Sequence, residues 1–459
     1  MICGRAAPTP TPSSSTAAPS ATASAGSACS AAYNAKVHGL FDVAFADGRA
    51  PNYTFPPFTD EVAALFESMG LDVIRLPVSW SALEPSPRQY DPAFFDALDR
   101  AIAIARAHGL HVIVDMHQDA YSKEIGEDGA PLWAIVPPPD MVLAGPSDDS
   151  RRLTAPVLAA GISFFRDAPA TDGRPLQDAF VDALAEIVRR HVGDPTVLGY
   201  EAFNEPVVFD KPQLDRFHAR VADRVHALDP DAPVLFEPWA LRNQSDSAPL
   251  ADAPWAHGAG VYAPHIYTGQ FTMPSQNGWE SEDPAKLVPS MTGAEAEATS
   301  WGTPLFVTEF GCDQTLARGP RWLSIELDLQ DQVLASSTAW AREWGSWGLF
   351  SSDGVLYPET SRVMSRSYPR AVAGDLVAIE RPEPGHLVVR WRPTARTAGL
   401  PHEVSMSARW ATDDRVLCDG APVAFDTPAP GRATFVCPVD DQAEHRFEVI
   451  GTPVPATTN

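Results

Sequence analysis

Short apolar runs alternate with longer amphipathic stretches along residues 33–375. The runs lie at 37–41, 72–76, 111–116, 197–203, 234–236, 260–266, 305–310 and 348–351. Between most of them, at 59–69, 92–108, 176–191, 213–228, 293–300 and 328–344, apolar residues recur at i, i+3 and i+4, the spacing of one helix face. Thr59 or Asp60 is placed to cap the first helix, and Asp91 followed by Pro92 reads as a cap with proline at the first helical position. Continuous apolar runs suit parallel strands buried on both faces. Eight strand–helix repeats predict an α/β fold, a (β/α)8 TIM barrel. The competing arrangement is an open doubly wound sheet, which the lack of a glycine-rich loop after the first run disfavours.

Near residue 375 the period changes. Short strand-like runs at 377–379, 386–391, 403–407, 415–418, 422–425, 433–439 and 446–450 are separated by turn residues, and predict an antiparallel β-sandwich over 376–455. Residues 1–32 are mostly Ala, Pro, Ser, Thr and Gly, too poor in large apolar groups to offset ordering, and read as a disordered spacer. Such spacers fit an exported protein, and a secreted location is expected although no signal peptide is visible. Cys3 stands where a lipid-anchored cysteine would, but Ile2 departs from the small residue expected before it. Cys29 reads as a free thiol in the spacer. Cys418 and Cys437 are close enough for a hairpin-spanning disulfide in an exported protein.

Composition narrows the partners. The formal net charge of −25 argues against nucleic acid, whose phosphates it would repel, and leaves neutral sugars open. No run of 18 or more apolar residues is present, so no transmembrane helix is expected.

In a TIM barrel the site forms at the C-terminal ends of the strands. Arg75 lies near the end of the second predicted strand. His117 and Asp119 follow the third in DMHQD, Asn204 and Glu205 the fourth in FNEP, His265 and Tyr267 the sixth in PHIY, and Glu309 the seventh in VTEFG. Each has a bland reading: Glu205 as a helix cap, Glu309 as a solvated strand end, Arg75 as an ion-pair partner, His265 as a satisfied histidine, His117 and Asp119 as metal ligands. Together, on successive strand ends, they suit glycoside hydrolysis, in which two carboxylates flank the scissile bond. Arg75 and a hydrogen bond from Tyr267 are expected to hold Glu309 ionised, and the anionic Glu309 to raise the pKa of Glu205. No cofactor or metal is expected. Cys312 has no adjacent base and reads as a buried, inert thiol.

These motifs resemble glycoside hydrolase family 5, and within it the endoglycoceramidases. The segments carrying the resemblance are GLHVIVDMHQDAYS at 109–122, RLPVSWSALEP at 75–85, VYAPHIY at 261–267, SSDG at 351–354 and SYPRAVAG at 367–374. The resemblance implies a metal-independent retaining enzyme that cleaves oligosaccharide from ceramide in one piece. Glu205 would be acid/base and Glu309 nucleophile. Asn204 would hold the sugar 2-hydroxyl, His117 and Asp119 the sugar beside the scissile bond, and Arg75, His265 and Tyr267 would support the nucleophile. Two departures bear on the glycan. Where the family ends strand 8 with Trp-Ser-Ser-Asp, this chain has Phe350-Ser351-Ser352-Asp353, so the sugar platform is smaller or comes from Trp347. The loop 42–57 also lacks the family's sugar-binding lysine, for which Arg49 is the candidate substitute. A galactosylceramide-type specificity fits both departures.

A lipid aglycone needs apolar surface beside the mouth. The segment PLWAIVPPPDMVL at 131–143, with Trp133 and Ile135, and Phe271, Met273 and Trp279 are the candidates for ceramide or for peripheral contact with a membrane or micelle. The alternative is that these residues pack on each other or on barrel helices. A monomer is expected. Competing functions are a β-glucosidase on steryl glucosides, a β-1,4-glucanase, and a sugar-binding protein without catalysis, the last disfavoured by the presence of both glutamates.

Overall fold

The computed structural model describes residues 31–51, 53–140, 149–208, 210–269, 284–383, 385–408, 410–440 and 443–453. They form two compact units. One comprises residues 31–67 and 72–364, the other 68–71 and the residues from 365 onward.

The first unit is a (β/α)8 TIM barrel. Its strands are β1 (Ala31–Asn34), β2 (Val73–Ser79), β3 (His111–His117), β4 (Val197–Glu201), β5 (Val234–Phe236), β6 (Gly260–Tyr262), β7 (His265–Ile266), β8 (Phe306–Phe310) and β9 (Ser336–Ala339). Each neighbour pair is parallel, in the order β6-β5-β4-β3-β2-β1-β9-β8-β7. The pieces β6 and β7 are one sixth strand interrupted at Ala263 and Pro264. Its first half pairs with β5 and its second with β8, which closes the ring. The strands β2, β4, β5, β6, β8 and β9 are buried throughout, as a sheet covered on both faces requires.

Around the strands run α1 (Asp60–Ser68), the single turn α2 (Trp80–Leu83), α3 (Pro92–Ala107), α4 (Ala155–Phe165), α5 (Leu176–Arg190), α6 (Lys211–His226), the turn α7 (Arg242–Ser245), α8 (Pro284–Trp301), α9 (Gly319–Gln332) and α10 (Pro358–Met364). Asp91 caps α3, its Oδ1 accepting from Ala93 N at 2.8 Å, with Pro92 next. Phe164 of α4, Phe180 of α5 and Phe217 of α6 meet Phe203 with ring centroids 5.2–5.8 Å apart, a core that fixes the exit of β4.

Two strands lie elsewhere than the apolar pattern predicts. The first is β1 at Ala31–Asn34, ahead of the run at 37–41, which folds as loop. The eighth is β9, with the sequence SSTA, inside a stretch whose spacing reads as helix. Small hydroxylated residues give no apolar run, yet they are buried because their hydroxyls find partners: Thr338 donates to Thr308 O at 2.6 Å and Ser337 to Gln330 Oε1 at 2.6 Å. Helix α9 ends at Gln332, and Leu334 takes a left-handed φ of 56°.

The second unit is a β-sandwich. One sheet orders β10 (Tyr368–Ala371), β13 (His402–Ser405) and β16 (Arg432–Phe435); the other orders β11 (Asp375–Glu380), β12 (His386–Arg392), β17 (His445–Pro453), β14 (Trp410–Cys418) and β15 (Ala421–Val423), all antiparallel. It begins before residue 376, because β10 pairs with β13. Cys418 and Cys437 are bonded, with Cα atoms 5.5 Å apart. Cys418 closes β14 and Cys437 follows β16, so the disulfide joins the two sheets rather than the arms of one hairpin. Cys3 and Cys29 lie outside the described residues.

Candidate active site

The C-terminal ends of the barrel strands converge on Arg75 of β2, which has no exposed surface. Its guanidinium donates to Glu201 from Nε, to Asn34 Oδ1 (2.7 Å) and Glu309 Oε1 (2.6 Å) from one terminal nitrogen, and to Asn204 Oδ1 (2.8 Å) from the other. Asp115 Oδ2 is 3.0 Å away and Glu237 Oε1 3.6 Å. Five strand ends are thus tied to one cation. Burial opposes its charge, but the surrounding carboxylates, led by Asp115 and Glu201, push its pKa well above the ordinary arginine value.

Glu309, on β8, is 4% exposed. Its oxygens face donors: Arg75 on Oε1, Tyr267 OH at 2.8 Å and His265 Nδ1 at 3.4 Å on Oε2. Glu205 follows β4 with a left-handed φ of 41°, a backbone cost of about 1 kcal/mol or more for a non-glycine residue. The turn is held from both sides. Gln118 Nε2 donates to the carbonyls of Asn204 (2.6 Å) and Glu205 (3.0 Å), and Glu205 N donates to Glu237 Oε2 (3.0 Å). The Glu205 carboxylate receives Asn243 Nδ2 at 2.6 Å, His265 Nδ1 at 2.9 Å and Arg152 at 2.7 Å. A carboxylate oxygen of Glu205 and one of Glu309 lie within 4.8 Å of each other, with His265 between.

His117 extends the site toward β1. Its Nδ1 is 2.6 Å from Asp115 and its Nε2 3.3 Å from Asp119, and its ring stacks on Trp340 with centroids 5.6 Å apart and planes at 9°. Asp119 also pairs with Arg152. Lys36 Nζ sits 4.4 Å from the Trp340 ring and 3.7 Å from Glu343. Among the described residues three trios, His117–Asp119–Asp128, Glu201–Glu237–His265 and Glu205–His265–Glu309, have the spacing of metal ligands. Arg152 and Lys36 act on Asp119, Arg152 on Glu205, and Arg75 on Glu309.

The acidities run opposite to expectation. Burial raises the pKa of Glu205, but Arg152 and the His265 hydrogen bond outweigh it and hold the carboxyl down at about 2. Burial pushes Glu309 up; His265 and Arg75 oppose this, while Glu205 adds repulsion. The difference comes from the Arg152 guanidinium. It comes from a short 3-10 turn, Asp149–Leu153, that carries no periodic signal.

The expected residues Arg75, His117, Asp119, Asn204, Glu205, His265, Tyr267 and Glu309 are therefore assembled in one mouth. Trp347 stands at its edge, its ring 6.0 Å from Tyr267. Three expectations are corrected. Phe350 is not the end of strand 8; it sits in a loop beside Trp344 and Leu356, and Trp340 is the aromatic residue directly after β9. Arg49 pairs with Asp47 in solvent, whereas Lys36 lies beside Trp340 and Glu343. Trp133 and Ile135 are interior: Trp133 packs edge-on against Trp80, and its Nε1 donates to Glu84 O at 3.0 Å. Phe271, Met273 and Trp279 lie outside the described residues. Residues the sequence reading passed over are Asn34, Lys36, Asp115, Asp128, Arg152, Glu201, Glu237, Asn243 and Trp340. Asp115, Glu201 and Glu237 sit at strand ends too, and the same positional rule would have found them. Cys312 is buried, and burial pushes its thiol up.

A barrel with this mouth is the scaffold of a glycoside hydrolase. Residues 47–343 match the cellulase family, glycosyl hydrolase family 5, and the chain belongs to that family. Within it, the chain is similar to endoglycoceramidases. It is 29% identical over 401 residues to endoglycoceramidase I of Rhodococcus hoagii (strain 103S), covering 79% of this chain and 74% of that one. The fold matches endo-glycoceramidase II from Rhodococcus sp., in complex with a five-membered iminocyclitol, with a TM-score of 0.77 at 24% identity over 93% of this chain and 97% of that one. It also matches an endogalactoceramidase, with a TM-score of 0.69 at 21% identity over 92% and 96% of the two chains.

Proposed function

We propose that this hydrolase is a retaining endo-β-glycosidase that cleaves the bond between the oligosaccharide and the ceramide of glycosphingolipids. The observation that carries the reading is that Glu205 and Glu309 face each other across His265 Nδ1, at 2.9 and 3.4 Å, with one carboxylate oxygen of each within 4.8 Å of the other. Retaining enzymes hold their carboxyl groups about 5–5.5 Å apart, whereas inverting ones need about 6.5–9.5 Å to admit a water.

Glu309 attacks the anomeric carbon as Glu205 protonates the departing oxygen. A glycosyl ester forms on Glu309 and the ceramide alcohol leaves. Glu205, now a carboxylate, takes a proton from water, which opens the ester and frees the sugar with retained configuration. Arg75, Tyr267 and His265 stabilise the Glu309 carboxylate before attack and after release. Glu205 cannot be an acid while Arg152 grips it, so a bound sugar takes the place of Arg152 at Asp119 and Glu205. Loss of that cation lets the Glu205 pKa rise toward the working range.

The ceramide assignment rests on the similarity to endoglycoceramidase I and on apolar side chains at loop positions. Leu153 is 70% exposed after β3, Leu241 38% after β5 and Trp344 61% after β9. Export to an oxidising compartment accords with the Cys418–Cys437 bond.

The deciding measurement is hydrolysis of lactosylceramide and a ganglioside, with mass analysis of both products. Intact oligosaccharide plus ceramide is expected, and Glu309→Ser should reduce the rate about 10⁴-fold or more, as removal of a nucleophile does elsewhere. Release of single monosaccharides, or undiminished activity in Glu309→Ser, would overturn the proposal.

A further inference from the structure

Asn243 stands on the turn α7, in the loop after β5, and its Nδ2 donates to Glu205 Oε1 at 2.6 Å. That turn is fixed from two sides. Arg242, the residue before Asn243, is 1% exposed. Its guanidinium donates to Glu297 from Nε at 2.8 Å, and to the carbonyls of His265 at 3.2 Å and Ser290 at 3.1 Å. Glu297 accepts in turn from Tyr262 OH at 2.6 Å and Ala248 N at 2.8 Å. A guanidinium persists in the interior only where acceptors meet it, and here those acceptors fix the turn. On the other side, Ala240 N donates to Pro206 O at 2.9 Å. The turn is thus tied to His265 and to the residue that follows Glu205.

The two carboxyl oxygens of Glu205 meet different partners. Oε1 faces two donors, Asn243 Nδ2 and His265 Nδ1, the latter at 2.9 Å. His265 Nδ1 lies between Glu205 Oε1 and Glu309 Oε2, both acceptors, so it carries its hydrogen. Oε2 faces Arg152 at 2.7 Å. A carboxyl oxygen that accepts from two N–H groups has both lone pairs engaged and no place for a proton. The proton of the neutral acid therefore belongs on Oε2, which is freed when a sugar takes the place of Arg152.

We propose that Asn243 is a positioning residue for proton transfer: together with His265 it keeps Glu205 Oε1 an acceptor and confines the transferable proton to Oε2. That proton passes to the glycosidic oxygen as its bond to the anomeric carbon breaks and Glu309 closes the ester. In the second half Oε2 takes a proton from water as the water oxygen replaces Glu309 on the anomeric carbon. His265 does not suffice alone, because its Nδ1 hydrogen also faces Glu309 and is drawn there while Glu309 is a free carboxylate. The inference rests on Glu205 as the acid/base, and not on the lipid.

Aryl β-glycosides of one soluble disaccharide, with phenol and dinitrophenol as leaving groups, test it. Dinitrophenol departs without a proton, and phenol needs one. In Asn243→Ala, kcat/KM should fall about tenfold on the phenyl glycoside, the scale of one lost hydrogen bond to an ionisable group, and by less than about twofold on the dinitrophenyl one. The groups around Glu205 are Arg152 and Asp119 from the loop after β3, Glu237 after β5, His265 on β7, Tyr267 beyond it and Glu309 on β8, while Arg75 on β2 reaches Asn204 next to it. All of these stay in place. Loss of a donor to the charged form raises the Glu205 pKa, so the alkaline limb of kcat/KM should move up by about 0.5 pH unit. Asn243→Asp keeps the shape of the side chain and adds a like charge, and should move the limb up by about 1 unit. An equal loss on both glycosides, or a limb that stays in place in both variants, would overturn the positioning role. Glu205→Ala, assayed beside them, separates the two readings. Leaving-group dependence in Glu205→Ala with none in Asn243→Ala would overturn the role of Asn243 alone. Its absence from Glu205→Ala as well would overturn Glu205 as the acid.

Discussion

Two buried histidines, one in each unit, behave in opposite ways. His265 at the barrel mouth is 2% exposed, and His402 in the sandwich has no exposed surface. Burial lowers the pKa of both. At His265 the carboxylates Glu237 and Glu309 overcome burial and push the imidazole well up, so it stands as a cation between two acids. At His402 nothing opposes burial, and the pKa falls to about 4. Its ring lies among Trp391, Phe435 and Phe447, at centroid distances of 4.5, 5.5 and 4.9 Å, and its Nδ1 accepts from Ala373 N at 3.2 Å. Burial fixes the size of the penalty on a charge; the neighbours fix whether the charge exists. The sandwich uses histidine as an aromatic filler. The mouth uses it as a charge, which is costly to bury and is kept only where carboxylates surround it.

After loss of the Glu309 nucleophile itself, the largest expected effect comes from taking away Glu205, the other carboxylate on His265 Nδ1. Glu205→Ala should slow hydrolysis of substrates with poor leaving groups about 10²–10⁴-fold, the span typical of a lost general acid. Dinitrophenyl glycosides, which depart without a proton, should still form the glycosyl-enzyme. Azide should then restore turnover and yield a glycosyl azide of retained configuration. An equal loss on good and poor leaving groups, without azide rescue, would mean that Glu205 only shapes the mouth around His265.

How much of this was legible in the chain follows from the same contrast. Strands buried on both faces leave apolar runs, and β2, β3, β4, β5, β6 and β8 stand near where those runs predict. Strand β9 did not announce itself, because Ser336, Ser337 and Thr338 are buried through hydrogen bonds rather than through apolar surface. Missing β9 also hid Trp340 and placed Phe350 at a strand end it does not occupy. Side chains at strand ends were readable from position alone, which is why Arg75, Glu205, His265 and Glu309 come together as expected. Arg152 and Lys36 were not, since each reaches the mouth from a loop whose path no local pattern specifies. Trp133 and Ile135 misled in the other direction: apolar character marks the interior as readily as a lipid contact, and the packing of Trp133 on Trp80 distinguishes the two there, while Met141, Val142 and Leu143 lie outside the described residues.

A smaller effect should follow from Arg152, which reverses the expected order of acidities. With the guanidinium gone in Arg152→Met, the Glu205 carboxyl loses its strongest stabiliser. His265, Asn243, Glu237, Asp119, Glu309 and Arg75 remain around it. Its pKa should rise, because fewer cations favour the charged form. The falling alkaline limb of kcat/KM, which reports loss of the acid's proton in the free enzyme, should move up by about 1–2 pH units. An unmoved limb would leave Arg152 as a brace for Asp119 alone.

The smallest effect tests the sandwich side of the comparison. His402 has a folded pKa of about 4 against 6.5 for the ordinary residue. Below pH 6.5 the unfolded chain binds a proton that the folded one refuses. Stability is therefore full above pH 6.5 and declines as pH falls toward 4, by about 2 kcal/mol at pH 5 at 1.36 kcal/mol per unit. His402→Leu removes this proton linkage and leaves Ala373 N without its acceptor, a cost of about 1 kcal/mol. The variant should be less stable than the wild type at pH 7.5 and more stable at pH 5, by about 1 kcal/mol each way. Thermal unfolding of the sandwich at the two pH values reads the crossing. Parallel curves would mean that His402 is protonated in the fold after all, and that aromatic walls can shelter a charge as carboxylates do.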